Sequence, residues 1–530
     1  MPDRIRLTED NRKWWTLGAM CFALFMVMLD NTVVNVALPS IQKDLGASIT
    51  SLEWTVNAYT LTFAVLLVTG GRLGDIFGRR RMFLFGVVVF AVSSAAIGLA
   101  PNDGFLVAGR AIQGIGAAFM MPGTLSIISA TFPPEERGKA IGTWAGVSAL
   151  ALAVGPVVGG ALTEYVSWRA IFFLNLPVAA GAVAVTLFAA HESRDRTIER
   201  KVDIPGIVAL SAGLIALVLA LVEGNAWGWS SGRIVALFAV AAIGFISFVL
   251  IEMRVRVPMV QFEFFKSRSF LGANLVAFIV SFAMLAMFFF IALYMQNILG
   301  YSPLQAGIRF LPSTVMIIFA APIAGRLSDR IGPKPLIVTG LSLTAVALYL
   351  QSTITVNTGY AHLLPAFILM GIGMGITMSP MSTAAMNSVT VDKAGAASGI
   401  LSMSRMVGGT FGVALIGALF ESTSRSRLSG TLGKLPLSPG QQASITDQIA
   451  TGTGGTPTGV PSAVAGQVHA ASNDAFINAL SSSLTVATFV AAFGAVAAAV
   501  LIETKKRPAT RRAEELKQSP EAVAAEEWAA

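Results

Sequence analysis

Apolar residues run along this chain in long unbroken stretches rather than in one-faced stripes. A helix needs about 20 such residues to cross the hydrocarbon core of a bilayer. Stretches of that kind recur fourteen times, near 15–38, 51–71, 82–100, 104–129, 140–163, 169–190, 205–224, 232–252, 269–294, 303–325, 335–354, 360–386, 395–420 and 477–502. The pattern predicts an all-α integral membrane protein with fourteen transmembrane helices. Basic residues precede the first stretch, as in a signal peptide, but it runs from Trp14 to Leu38 without a small-x-small cleavage site, so it reads as an uncleaved first span. Two segments break the pattern. Residues 422–476 are rich in Ser, Thr, Gly and Pro, as in Gly452-Thr-Gly-Gly-Thr-Pro457, and read as a flexible external loop. Residues 503–530 mix both charge signs with Ala and read as a cytoplasmic tail.

Composition agrees with the pattern. Of 530 residues, 54% are hydrophobic and only 12% charged, about half the charged share of a soluble domain. The net charge of +8 invites a polyanion partner, but the positions of the positive residues explain it otherwise. With the N-terminus inside, the internal segments hold 28 of the 37 Lys and Arg residues. That bias places both termini in the cytoplasm and the protein in the cytoplasmic membrane, with no nucleic-acid partner required. The lone Cys21 excludes an internal disulfide and a cysteine-built metal site. No GxxxxGK[ST] sequence is present, so the chain carries no Walker-type nucleotide site. Gly371-Ile-Gly-Met-Gly375 lies within an apolar span and reads as helix packing, not as a dinucleotide fingerprint. No enzyme chemistry and no metal or other cofactor is expected.

The chain also repeats itself. Gly71-Arg-Leu-Gly-Asp-Ile-Phe-Gly-Arg-Arg-Arg81 links spans 2 and 3, and Gly325-Arg-Leu-Ser-Asp-Arg-Ile-Gly-Pro-Lys-Pro335 links spans 10 and 11, 254 residues later. Two halves with the same cytoplasmic turn imply duplicated bundles facing each other across a midplane cavity, the plan of secondary transporters. Residues 1–195 form the first six-helix bundle in this reading, 196–260 two inserted helices, 261–505 the second bundle and 506–530 the tail.

On these residues the sequence resembles the major facilitator superfamily, in its fourteen-span drug:proton antiporter branch of the EmrB/QacA type. Gly71–Arg81 looks like the superfamily's loop signature, with a degenerate copy at 325–335. Leu29-Asp-Asn-Thr-Val-Val-Asn-Val-Ala-Leu-Pro39 is similar to the branch's first-span motif, and Arg110-Ala-Ile-Gln-Gly-Ile-Gly116 to its fourth-span motif. Gly146 with Gly155-Pro-Val-Val-Gly-Gly160 resembles the antiporter motif of the fifth span. Trp168-Arg-Ala-Ile-Phe-Phe-Leu-Asn-Leu-Pro177 and Leu299-Gly-Tyr-Ser-Pro303 fit the same branch. The resemblance implies multidrug efflux of lipophilic, often cationic molecules by alternating access. It implies a proton gradient as the driving force in place of a cofactor, and small substrates, protons and the bilayer as partners. A monomer is expected, with no periplasmic adaptor indicated. An exporter of an endogenous metabolite, lipid, siderophore or antibiotic would look the same. An uptake symporter fits the fifth-span motif less well, and a membrane scaffold would have no use for a buried acid.

That acid is Asp30, read as the one carboxylate deep inside a span, about 12 Å below the outer end of the first helix. A charge there costs at least ~2.5 kcal/mol, so it marks function. Desolvation favours the protonated acid and a nearby cation favours the carboxylate, so a moving cation loads and unloads the proton. Arg110 lies at matching depth, about 9 Å below the outer end of span 4, and the resemblance assigns that Arg to proton coupling. Asn31, Asn35 and Gln113 join Gly146, Gly155, Pro156, Gly159 and Gly160 as the expected cavity and antiporter-motif residues. Gly71, Arg72, Gly74, Asp75, Gly78, Arg79, Arg80, Gly325, Arg326 and Asp329 form the expected gating turns. Met26, Met120, Met121, Phe288, Phe289 and Met378 could adapt to varied lipophilic ligands, but at helical spacing such residues are more often lipid-facing or core, so they and Trp54, Asn57 and Tyr59 stay outside the expected site. Some drug-exporting relatives carry a carboxylate in the thirteenth span. Here that span holds Arg405, with Glu421 only at its outer end, which argues against divalent cationic substrates.

Overall fold

The computed structural model describes residues 9–193, 203–255, 258, 260, 262–356, 358–389, 394–450, 460 and 464–503. The tail expected at 506–530 lies outside them. Over the described residues the chain is helical, without a strand. It runs α1 (Glu9–Leu45), α2 (Ile49–Phe77), α3 (Arg79–Gly98), α4 (Asp103–Thr131), α5 (Pro134–Tyr165), α6 (Trp168–Phe173), α7 (Asn175–Ala189), α8 (Ile204–Trp227) and α9 (Gly232–Glu252). It continues through α10 (Arg268–Leu293), α11 (Pro303–Ile331), α12 (Pro333–Ser352), α13 (Tyr360–Met386), α14 (Ala394–Leu432), α15 (Pro439–Ala450) and α16 (Ala465–Leu501). Among the described residues, twelve helical stretches are long and apolar enough to cross a membrane by length and composition, α6 and α7 together making one of them. That is fewer than the fourteen expected. The two further expected spans are α2 and α5, 29 and 32 residues long, and they pack within the same assembly.

Helix ends follow local chemistry. Ser48, Asn102, Ser231 and Ser302 cap their helices by accepting the backbone N–H three residues on, in the first turn. Between α2 and α3 the chain turns at Gly78 with φ 117°, and between α11 and α12 at Gly332 with φ 85°. Only glycine takes that backbone region without strain. The two glycines stand 254 residues apart, the interval of the sequence repeat.

Packing repeats with the turns. α2 lies along α4 as α11 lies along α13, α3 along α4 as α12 along α13, α1 along α5 as α10 along α14, and α1 along α7 as α10 along α16. Gly86 and Gly116 bring α3 and α4 into backbone contact, and Gly340 and Gly373 do the same for α12 and α13. Small residues at such crossings let helices approach closely without a side chain between them. α8 and α9 pack on each other, with α8 also against α2 and α14. Met26, Met120, Phe288 and Phe289 are fully or almost fully buried in this packing, so they belong to the core.

One expected loop is structured. α14 continues to Leu432, α15 follows, and α16 begins at Ala465, leaving 451–459 and 461–463 outside the described residues. Leu428, Leu432, Leu437, Ile445, Val468, Ala471 and Ala475 form a small separate apolar cluster there. The high Ser, Thr and Gly content hid a sparse set of apolar residues at helical spacing (428 and 432; 464, 468, 471 and 475), enough to hold three helix ends together.

Candidate functional site

Asp30 lies midway along α1 and is 1% exposed. Its carboxylate meets Arg110 of α4, also 1% exposed, with Oδ2 at 2.5 Å from Nη1. Arg110 donates a second bond to Gln113 Oε1 at 2.7 Å and a third, through Nε, to the Thr55 carbonyl of α2 at 3.0 Å. Its guanidinium stacks on the Tyr59 ring, 4.2 Å from the centroid. Gln113 closes the ring of bonds by donating to Asp30 Oδ1 at 3.0 Å. Asn175, at the start of α7, donates to the same oxygen at 3.3 Å and to Ser94 of α3 at 2.9 Å. Residues of five helices thus meet in one network around this carboxylate.

A buried ion pair of this kind is costly to desolvate and stands only because its remaining donors and acceptors are filled. Protonating Asp30 removes the charge that holds Arg110, while Thr55 and Gln113 still offer acceptors to the guanidinium.

The family model described as Major Facilitator Superfamily matches residues 20–413, which include Asp30, Arg110 and both repeated turns. The chain belongs to the major facilitator superfamily. It is similar to the tetracenomycin C resistance and export protein of Streptomyces glaucescens, 35% identical over 95% of this chain and 94% of that protein. The puromycin resistance protein pur8 of Streptomyces alboniger is 39% identical over 79% of this chain and 84% of its own length. The multidrug resistance protein Stp of Mycobacterium tuberculosis is 34% identical over 82% and 81%. A solved bacterial homolog of the human lysosomal transporter Spinster shares the fold at TM-score 0.64 and 17% identity, covering 94% of this chain and 99% of that one.

For this superfamily member, the fifth-span motif is a contact device. A Cβ at Gly155 would strike the Thr32 hydroxyl of α1, and one at Gly159 would come within 2.8 Å of Val33. Gly160 faces Pro303 and Leu304 of α11, while Gly307 of α11 lies against the Pro156 carbonyl. Pro156 sits inside α5, where its ring removes one helical hydrogen bond. Glu164 accepts from the Leu304 backbone N–H at 3.0 Å, and Gln296 donates to the Val36 carbonyl at 2.8 Å. All of these contacts lie toward the face opposite the α2–α3 turn. Asn31 and Asn35 each donate to a carbonyl one turn back on α1, and the Asn35 side-chain carbonyl is buried without a partner.

The turn itself is clamped by a residue that sequence reasoning did not single out. Glu192 lies against Gly78, accepts from the Arg80 backbone N–H at 3.1 Å and pairs with Arg81 at 3.7 Å. Arg80 also donates to the Leu187 carbonyl at 3.0 Å, and the Arg79 N–H to Ser193 at 2.9 Å. Gly71 abuts Pro122 of α4 as Gly325 abuts Ser379 of α13; Gly74 faces Arg79, and Arg326 is exposed. The side chains of Arg72, Asp75 and Asp329, with Gly146, lie outside the described residues.

Asp30 is not the only deeply buried acid. Glu53 of α2 is 3% exposed, its carboxyl against Gly417 of α14, with Glu223 of α8 and Glu421 of α14 nearby. Trp54 donates to Glu223 at 3.3 Å, and Arg425 holds Glu421 at 3.0 Å. Glu53 is the third residue of the second predicted span, 51–71, and the sequence reading did not single it out. α8 and α14 cover that end of α2, and no local pattern announces such a lid. Ser94 and Asn175 were missed for a related reason: Ser94 is one of an adjacent serine pair and Asn175 an isolated amide in an apolar span, and only packing shows their common target.

Proposed function

We propose that this protein exports lipophilic small molecules across the cytoplasmic membrane in exchange for protons. The observation that carries the reading is the Asp30–Arg110 pair, buried at the meeting point of α1, α2, α3, α4 and α7. Relatives named for multidrug or antibiotic resistance support the direction of transport. In this reading α2 and α5 join the twelve apolar stretches to make fourteen spans, as two duplicated six-helix bundles with α8 and α9 inserted. The bias of basic residues puts the α2–α3 turn and both termini in the cytoplasm.

The contacts joining the first helix set to α10 and α11 then lie on the outer side, so the structure is sealed outward. α1 links that seal to the acid. Thr32 lies on Gly155, Val33 on Gly159 and Val36 takes the Gln296 bond, all within two turns of Asp30. When the protein opens outward, substrate leaves and Asp30 takes a proton. Return to the inward state brings Arg110 back to the carboxylate and expels the proton to the cytoplasm. No cofactor takes part; the proton gradient supplies the work, and a monomer suffices. A narrower reading, in which the cargo is one compound, is favoured by three relatives that are each named for resistance to a single compound.

Inside-out vesicles with an imposed proton gradient, acid inside, test the proposal. Adding a transported lipophilic compound is expected to release protons from the lumen, and vesicles without the protein to release none. A panel of resistance-related compounds that moves no protons in either preparation overturns it.

A further inference from the structure

α14 meets its neighbours along two lines. Ser404 donates to Asn274 of α10 at 2.9 Å, and Gly408 and Gly412 lie against Phe278 and Phe282 of the same helix. Thr410 donates to Thr60 of α2 at 2.7 Å, and Gly417 lies against Glu53 of α2. At about 100° per residue, Arg405 falls between these lines. Ser398, Ser402 and Gly409 share its strip, whereas the opposite strip carries Ile400, Met403, Val407, Phe411 and Ala414. Arg405 is the one charged residue from Ala394 to Phe420. Packed among the surrounding helices, its side chain nonetheless keeps part of its surface exposed. Among the described residues no carboxylate, carbonyl or aromatic ring holds its guanidinium. Arg110, by contrast, has a carboxylate, an amide, a carbonyl and a ring.

An arginine kept within a membrane span without a partner is a large standing cost. A structural arginine would be bonded as Arg110 is. Helical side chains lean toward the N-terminus of their helix, so Arg405 reaches toward the face of the α2–α3 turn, the side the proposed function leaves open to cargo. A planar guanidinium forms paired hydrogen bonds with an oxyanion.

We propose that Arg405 is the substrate-recognition residue of this exporter, and that it selects lipophilic molecules bearing an acidic group, a carboxylate or an ionised phenol or enol. The inference rests on the exporter reading and reverses the expectation of cationic cargo. Arg405 supplies the partner charge and the surrounding apolar surface receives the body of the molecule.

The test uses the full-length protein in proteoliposomes under a proton gradient, with two fluorophores of similar size: a lipophilic fluorescein-type carboxylate and a rhodamine 6G-type cation. Wild type is expected to move the carboxylate dye with countermovement of protons. Arg405→Gln lowers affinity for that dye about 10- to 100-fold, as loss of a charged hydrogen-bond partner does, and shifts the preference toward the cation. Arg405→Lys, which keeps the charge, recovers part of the loss. A single symmetric peak for each variant on size exclusion in detergent shows that it is folded. If wild type moves the cation and not the carboxylate, or if Arg405→Gln leaves carboxylate affinity within about twofold, the assignment fails while the exporter stands. If wild type moves neither dye and no lipophilic compound drives protons, the exporter reading fails and takes this one with it.

Discussion

Ionised Asp30 and Arg110 each depend on the other's charge to be tolerable in the membrane. Taking one away leaves a buried charge, which costs about 3–5 kcal/mol, whereas taking both leaves neutral groups. Arg110→Gln is therefore expected to lower the thermal unfolding temperature in detergent markedly, and Asp30→Asn combined with Arg110→Gln to recover most of the loss. Equal losses in the single and double variants would show that the pair is not coupled. Arg110→Lys should not restore the site, because an ammonium cannot reach the Thr55 carbonyl, Gln113 and Asp30 at once while stacking on Tyr59. The pair was legible in the sequence because depth along a span is simple counting, and two opposite charges at equal depth stand out. The polar residues that complete it were not, since Ser94 and Asn175 gain meaning only from the rotation of α3 and α7 about their own axes.

The α5–α11 seam turns a sequence motif into mechanics. Glycine at 155, 159, 160 and 307 sets how closely α5 approaches α1 and α11, and a side chain there must push a helix away. Gly160→Leu places its bulk against the Pro303–Leu304 backbone and is expected to hold the outer side open. Spin labels on exposed Tyr165 and Gln305, at the outer ends of the two helices, should then separate by several ångströms, with transport below about a tenth of wild type. An unchanged distance with normal transport would remove the seam from the mechanism. Long apolar stretches, proline and glycine punctuation and the repeated turn made the helices readable in advance. The helices between 422 and 476 were hidden by a composition that usually marks a linker, and the Glu192 clamp by its place just past the end of a span.

Across the whole molecule, two corresponding helix sets meet along α5–α11 and α2–α14, with α1 touching α10. α1 carries Asp30 at its middle and meets α5 and the Gln296 side chain within the next two turns, so in the proposed cycle one helix joins the acid to the seal. The central claim is that Asp30 converts the proton gradient into uphill export. In proteoliposomes, Asp30→Asn is fixed as a neutral side chain and mimics the permanently protonated state. It is expected to exchange labelled for unlabelled substrate at equilibrium while losing all accumulation driven by the proton gradient. If Asp30→Asn accumulates substrate against its gradient as wild type does, the coupling lies elsewhere and the account is wrong.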